Sequence, residues 1–244
     1  MISHIRIILA GTTHPGNIGA AARAMKTMGL RNLYLVVPKV FPSAEATARA
    51  AGADDILENA VLCDSLFDAV RDCTLVFGTS ARERSISWPV VEPGEAAEQA
   101  IACASGSENT AFVFGRESIG LTNEELNACN RIISIPCNPD FSSLNLASAV
   151  QVICYELRKS MQTSEPASSR NEDYQPVTTE EMALFYEHLE RTLVDIEFLD
   201  PDKPRRLMRR LRRLFNRAEL DRNEYNILRG ILSAVQQLSG RKEK

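Results

Sequence analysis

Four polar stretches of this chain could do chemistry, and each follows a short apolar run. They are "GTTHPGNIG" (11–19), "TSARERS" (79–85), "RESIGLTNEEL" (116–126) and "CNPDFSSLNLASAV" (137–150). The first has the glycine spacing that opens a phosphate-binding loop, GxxxxG. It continues with Asn17 and Ile18, where such a loop needs a lysine for the phosphates and a hydroxyl for magnesium. It is not a dinucleotide fingerprint either. Its glycines stand at 11, 16 and 19, and the following run "LYLVVPK" ends in Pro38 and Lys39, with no carboxylate for a ribose. Taken alone, Gly16 and Gly19 suit turn and packing roles, and Arg23, two turns further on, suits a solvated helix position. The other three stretches are rich in small polar residues at the carboxyl ends of strand-like runs, where open α/β sheets bind ligands. Such loops would hold a ligand largely through backbone groups. Ser142 or Ser143 also suits a helix N-cap. No metal site is expected, because the three histidines and six cysteines are dispersed and form no CxxC pair.

These loops need a scaffold, and the first 160 residues supply one. Strand-like runs lie at 5–10, 33–37, 74–78, 111–115 and 132–136. Helix-like stretches lie between them, at 17–28, 65–71, 94–104, 123–129 and about 144–161; Thr122 and Glu125 form a capping-box pattern. This alternation predicts a mostly parallel α/β sheet with helices on both faces over residues 1–162. Residues 163–176, "TSEPASSRNEDYQP", have almost no large apolar side chain and read as a linker. Residues 177–244 show only helical periodicity and predict a small all-helical extension. Thr178 and Glu181 cap its first helix, and Asp221 and Glu224 its last.

Composition narrows the function. The chain has 244 residues and a net charge of −4. No apolar run approaches the length of a membrane span. The opening "MISHIRIILAGTTH" lacks the basic and apolar regions of a secretory signal. A cytoplasmic protein with reduced, mostly buried thiols is expected, without a membrane partner. The charge is uneven. Eight lysines and arginines fall between Lys203 and Arg217 with one interrupting sign nowhere among them. A helix there would carry Leu207, Leu211, Leu214 and Phe215 as an apolar stripe, with Arg206, Arg209, Arg210, Arg213 and Arg217 largely off it. A single-signed, arginine-rich face suits phosphate, so RNA contact is expected of these five.

The segments "NIGAAARAM", "FGRESIGLTNEEL" and "SSLNLASAVQV", in that order at strand ends, resemble the three signature motifs of the SPOUT (trefoil-knot) RNA 2'-O-ribose methyltransferases. With "TSARERSISWP" and "RRLRRLF" they resemble one subgroup most, the TrmJ-type tRNA methyltransferases, which modify tRNA position 32. The resemblance covers about residues 4–160. It implies a knotted α/β domain, S-adenosylmethionine as methyl donor, tRNA and not DNA as substrate, and a homodimer. By motif position the cofactor would contact Thr79, Ser80, Ala81, Gly115, Ile135, Ser142, Ser143 and Leu144. It further implies catalytic roles for Asn17, Arg23, Glu117, Ser143 and Asn145. Arg23 would act from one chain on the cofactor loops of the other, and Glu117 would bond substrate or loop, or orient Arg23.

Methylating a ribose hydroxyl requires in-line placement of the 2'-oxygen and a group that accepts its proton or stabilises the developing alkoxide. A guanidinium holds its own proton tightly, so an electrostatic clamp is the easier role for an arginine than a general base. Three rival readings stay open at this point: the same transfer on another RNA such as rRNA, a non-catalytic RNA-binding module, and an NAD-dependent oxidoreductase disfavoured by the glycine spacing.

Overall fold

The computed structural model describes residues 2–80, 88–163, 175–203 and 206–239. Two compact units divide the chain at Ser168 and Ser169. After a 3-10 turn at Ile2–His4, the first unit runs β1 (Ile5–Ala10), α1 (Pro15–Met28), β2 (Asn32–Val36), α2 (Ala44–Ala50), α3 (Asp54–Glu58) and β3 (Val61–Cys63). It continues with α4 (Leu66–Val70), β4 (Cys73–Thr79), β5 (Val90–Val91), α5 (Pro93–Ser105), β6 (Asn109–Phe114), α6 (Asn123–Asn127), β7 (Arg131–Ile133) and α7 (Leu146–Thr163). The second unit holds α8 (Thr179–Asp195), α9 (Leu207–Ala218) and α10 (Arg222–Ser239).

The seven strands form one sheet in the order β3-β2-β1-β6-β4-β7-β5, and every described pairing is parallel. Strand periodicity explains the two covered faces. Ile5, Ile7 and Leu9 of β1, with Phe77 and Phe112, enter one core beneath α1, α5 and α7. Ile8 and Ala10, with Val76, Ala111 and Val113, enter a second core beneath α4 and α6. Phe77 and Phe112 stack at 5.0 Å between ring centroids on adjacent strands. Gly19 lets α1 and α2 approach, because a Cβ there would lie 2.0 Å from the Ala46 carbonyl oxygen. The expected strands and helices of this unit are all present, with ends shifted by a few residues. The strand read at 132–136 is β7, which ends at Ile133, so Ile135 lies in the following loop. The short edge strands β3 and β5 and the helices α2 and α3 escaped the sequence reading. Val61, Leu62 and Val90 are exposed, so neither edge strand has a buried apolar run to betray it.

In the second unit Phe185, Tyr186 and Leu189 of α8 form a small core with Met208, Leu211 and Phe215 of α9 and Tyr225 and Leu228 of α10. Both bonds of the Thr178–Glu181 capping box form. Glu181 also pairs with Arg222 at the start of α10. Asp221 and Glu224 exchange backbone-to-carboxylate bonds of 3.0 and 2.8 Å, as their spacing suggested. The apolar stripe of α9 needs correction. Met208, Leu211 and Phe215 face the core, while Leu214 is exposed and Leu207 lies outside the cluster. The phase is set by Phe215, whose ring meets Phe185 edge-on at 4.9 Å. No helix among the described residues is long and apolar enough to cross a membrane.

Candidate active site

Strands β6, β4 and β7 are neighbours, so the loops that follow them emerge side by side. They line an open cleft. Of the eight residues expected at a cofactor, Thr79, Ser80, Gly115, Ile135, Ser142, Ser143 and Leu144 line this cleft; Ala81 lies outside the described residues. The wall also takes in Ile119, Ile133, Cys137 and Leu146, which no motif position had suggested. A wall that mixes branched apolar side chains with serine hydroxyls and loop backbone suits a ligand with a flat apolar ring and small polar groups. Thr79 donates its hydroxyl to the Val113 carbonyl at 3.1 Å, so that hydroxyl serves the sheet. Gly115 admits no side chain. A Cβ there would lie 2.2 Å from the backbone of Gly120 and Leu121, where the loop doubles back on itself.

That doubling back is held by Arg116, a residue the sequence reading passed over. Its amide and carbonyl bond to Gly120 at 3.3 and 2.8 Å. Its guanidinium donates to both Glu125 oxygens at 3.0 and 2.9 Å. Glu125 in turn caps α6 through Thr122. Gly11, at φ +63°, leaves room for the guanidinium, since a Cβ there would lie 2.5 Å from Arg116 Nε. The signal was present in the sequence: an arginine beside the glutamate of the loop, nine residues before a capping-box carboxylate.

Glu117, the next residue, points its carboxylate at the start of α1. Oε2 accepts from the Thr13 amide at 3.1 Å and the Thr13 hydroxyl at 2.8 Å. Oε1 accepts from the His14 amide at 3.3 Å and Asn17 Nδ2 at 2.9 Å. Burial raises the Glu117 pKa, but the hydrogen bonds from Asn17 and Thr13 outweigh it and pull the group down to about 2. The amino end of α1 favours the anion in the same sense. Asn17 then accepts, at Oδ1, a 3.0 Å bond from Asn145 Nδ2. Asn145 Oδ1 accepts from the Ala147 amide at 2.9 Å and so caps α7, the role that the sequence had suggested for Ser142 or Ser143. One polar chain, Glu117–Asn17–Asn145, thus ties the β1–α1, β6 and β7 loops together.

Arg23 is not part of that cluster. It lies exposed on α1 and does not line the cleft of its own chain. Six residues past Asn17, it stands about 9 Å further along the helix and about 120° around it. Glu117 therefore orients Asn17 and the β1–α1 loop; the alternative that it orients Arg23 within one chain is not what the structure shows. Among the described residues no group of three or more His, Cys, Asp or Glu is placed to hold a metal ion.

On α9, Arg206, Arg210 and Arg217 are exposed, and Arg209 and Arg213 are half-buried. Arg206, Arg210, Arg213 and Arg217 follow i, i+4, i+7 and i+11 spacing and form one stripe opposite Met208, Leu211 and Phe215. Arg212 lies 4.5 Å over the Tyr186 ring. Tyr186 donates its hydroxyl to Asn216 at 2.5 Å and to the Arg212 carbonyl at 3.2 Å, and burial raises its pKa.

A parallel sheet with an open cleft at its carboxyl edge, braced by a partly exposed polar chain, is the arrangement in which α/β folds bind small ligands. Comparison with known proteins specifies which one. The SpoU rRNA Methylase family model matches residues 4–155, and the model of the C-terminal domain of the tRNA methyltransferase TrmJ matches residues 180–244. The chain is 49% identical to the tRNA (cytidine/uridine/adenosine-2'-O-)-methyltransferase TrmJ of Pseudomonas aeruginosa, covering 98% of this chain and 96% of that one. It is 48% identical to the tRNA (cytidine/uridine-2'-O-)-methyltransferase TrmJ of Photorhabdus laumondii, covering 97% and 98%. The crystal structure of TrmJ from Z. mobilis superposes with a TM-score of 0.81 at 32% identity, covering 95% of this chain and 98% of that one. The chain belongs to the SpoU methylase family, in its TrmJ branch.

Proposed function

We propose that this protein is an S-adenosylmethionine-dependent methyltransferase that modifies the ribose 2'-hydroxyl of tRNA at position 32, on cytidine or uridine. The observation that carries the reading is the Glu117–Asn17–Asn145 chain at the rim of the cleft, in a sequence that follows TrmJ enzymes from end to end. When bound, the cofactor supplies an activated methyl group on a sulfonium. Thr79, Ser80, Ala81, Gly115, Ile135, Ser142, Ser143 and Leu144 would hold it. Ile119, Ile133 and Leu146 add apolar surface. Glu117 and Asn145 act as positioning residues: their oxygens accept own-chain bonds, and both fix Asn17. Ser143, exposed in the cleft wall, is free to meet ribose or cofactor.

Arg23 supplies the charge that the ribose oxygen needs as its proton passes to solvent water, and steadies the adjoining phosphate; it works as a clamp and not as a base. Because Arg23 lies off the cleft of its own chain, the site is completed by a second copy, and the working unit is a homodimer. The trefoil threading of the β6–α7 region and a cytoplasmic location belong to the same reading. The arginine stripe on α9 grips tRNA phosphates. The family model's own description speaks of rRNA, but the match of residues 180–244 to the TrmJ C-terminal domain favours tRNA.

The test is transfer of a labelled methyl group to defined tRNA and rRNA substrates, followed by nucleoside mapping. Label in a 2'-O-methyl nucleoside at tRNA position 32 is the expected result. Label confined to rRNA, to a base, or to another tRNA position would overturn the corresponding part of the reading.

A further inference from the structure

Phe141 is the most exposed large apolar side chain among the described residues, at 79%. It stands next to Ser142 and Ser143, both in the cleft wall. Two further exposed apolar residues, Ile119 at 51% and Leu144 at 41%, belong to that wall. Exposed aromatic surface of this size costs solvation free energy unless something covers it. The backbone that carries it is tied in a turn. Phe141 donates its amide to the Asn138 carbonyl at 2.9 Å, and Asp140 donates its amide to Asn138 Oδ1 at 3.0 Å. With Pro139 inside the turn, Asn138 and Pro139 form a stiff bracket for the backbone at Phe141, which leads directly into the cleft-lining Ser142 and Ser143.

We propose that Phe141 is a stacking platform for the base of the nucleotide whose ribose is methylated. This rests on the reading of the protein as an RNA ribose methyltransferase. The acceptor ribose must come to the cleft mouth, and its base must leave the loop stack to let it do so. An aromatic face is the partner every base can use, because every base has a π-face, whereas a hydrogen-bonding edge would select one. A stacking platform therefore accounts for acceptance of more than one base at a single position.

The test compares the unaltered protein with Phe141→Ala, Phe141→Leu and Phe141→Tyr. Each is assayed for methyl transfer to tRNAs carrying cytidine or uridine at the target, for affinity toward S-adenosylhomocysteine, and for oligomeric state. Phe141→Ala should lower kcat/KM by roughly ten- to a hundredfold, equally for both bases, the range of one lost base–aromatic stack. Phe141→Tyr should keep wild-type kcat/KM and Phe141→Leu should not, while S-adenosylhomocysteine affinity and oligomeric state stay unchanged in all three. Wild-type kcat/KM in Phe141→Ala, or rescue by Phe141→Leu, overturns the proposal. So does a Phe141→Ala protein that changes oligomeric state, since the side chain would then cover a second subunit. Failure of the unaltered protein to methylate any ribose overturns the parent reading, and this one with it.

Discussion

Glu117→Gln separates a carboxylate that orders a loop from one that merely sits in it. The four donors to Glu117 are two backbone amides, one hydroxyl and one side-chain amide, two on each oxygen. A glutamine keeps one acceptor oxygen and turns an NH2 toward the other pair. In either orientation one backbone N–H, of Thr13 or His14, faces a donor. A depression of the Glu117 pKa from 4.5 to about 2 would correspond to about 3 kcal/mol for a fully sheltered group. The carboxylate is only half-buried, so solvent screening reduces this to about 1–2 kcal/mol. For a chain of this size that lowers Tm by about 2 to 8 °C. The sign with pH follows. The folded pKa lies below the unfolded one, so the stabilisation is complete above about pH 5 and is lost as pH falls toward 2. Thermal unfolding of both proteins at pH 7 and at steps down to pH 3 measures this. The two Tm values should differ at pH 7 and converge on acidification. Methyl transfer by the variant at pH 7 should fall, because in either orientation the β1–α1 loop that carries Asn17 loses a backbone bond. Equal Tm at pH 7 with parallel pH profiles would refute the reasoning, and Glu117 would then be a contact residue awaiting substrate.

Arg23→Ala should abolish most methyl transfer and leave S-adenosylhomocysteine affinity and Tm unchanged, since the side chain is exposed and outside the cleft; wild-type turnover would remove Arg23 from the site. Reassorting Arg23→Ala with Glu117→Ala subunits should restore activity to about a quarter of wild type, as half the dimers are mixed and one of their two sites is intact; recovery of none would place Arg23 in the site of its own chain. Arg206, Arg210 and Arg217 changed together to Ala should weaken tRNA binding and lower the slope of log affinity against log salt by about 0.7–0.9 per lost phosphate contact, measured by filter binding from low to moderate salt; an unchanged slope would make the α9 stripe a solvated face. Gly115→Ala should cost about 1–3 kcal/mol or more, because its methyl would meet backbone and not a side chain that could turn away; a stable variant with normal cofactor affinity would contradict the close packing of that loop.

The scaffold was legible because its core strands are long, buried on both faces and separated by capped helices, as Ile5–Ala10 and the Thr122–Glu125 box illustrate. What escaped lacks those signals: β5 is two residues long, and β3 exposes Val61 and Leu62. On α9 the pattern admitted two phases, with Leu207 and Leu214 or Met208 and Phe215 inward, and only the aromatic contact with Phe185 in a distant helix chose between them. The site divides in the same way. Its members came from motif positions, and the cleft gathers seven of the eight expected cofactor residues. Their roles did not come with them, because a role depends on where lone pairs and donors are already used. Glu117 and Asn145 read as catalytic from their motifs, yet their oxygens accept bonds from their own chain, and Arg116, which holds the loop carrying Glu117, went unread beside it. Arg23 shows the opposite case. Its motif assigned it to the chemistry, but helix geometry leaves it exposed and off the cleft of its own chain. Long-range bonds such as Asn145 to Asn17, 128 residues apart, therefore decide which polar residues are structure and which remain available to a substrate.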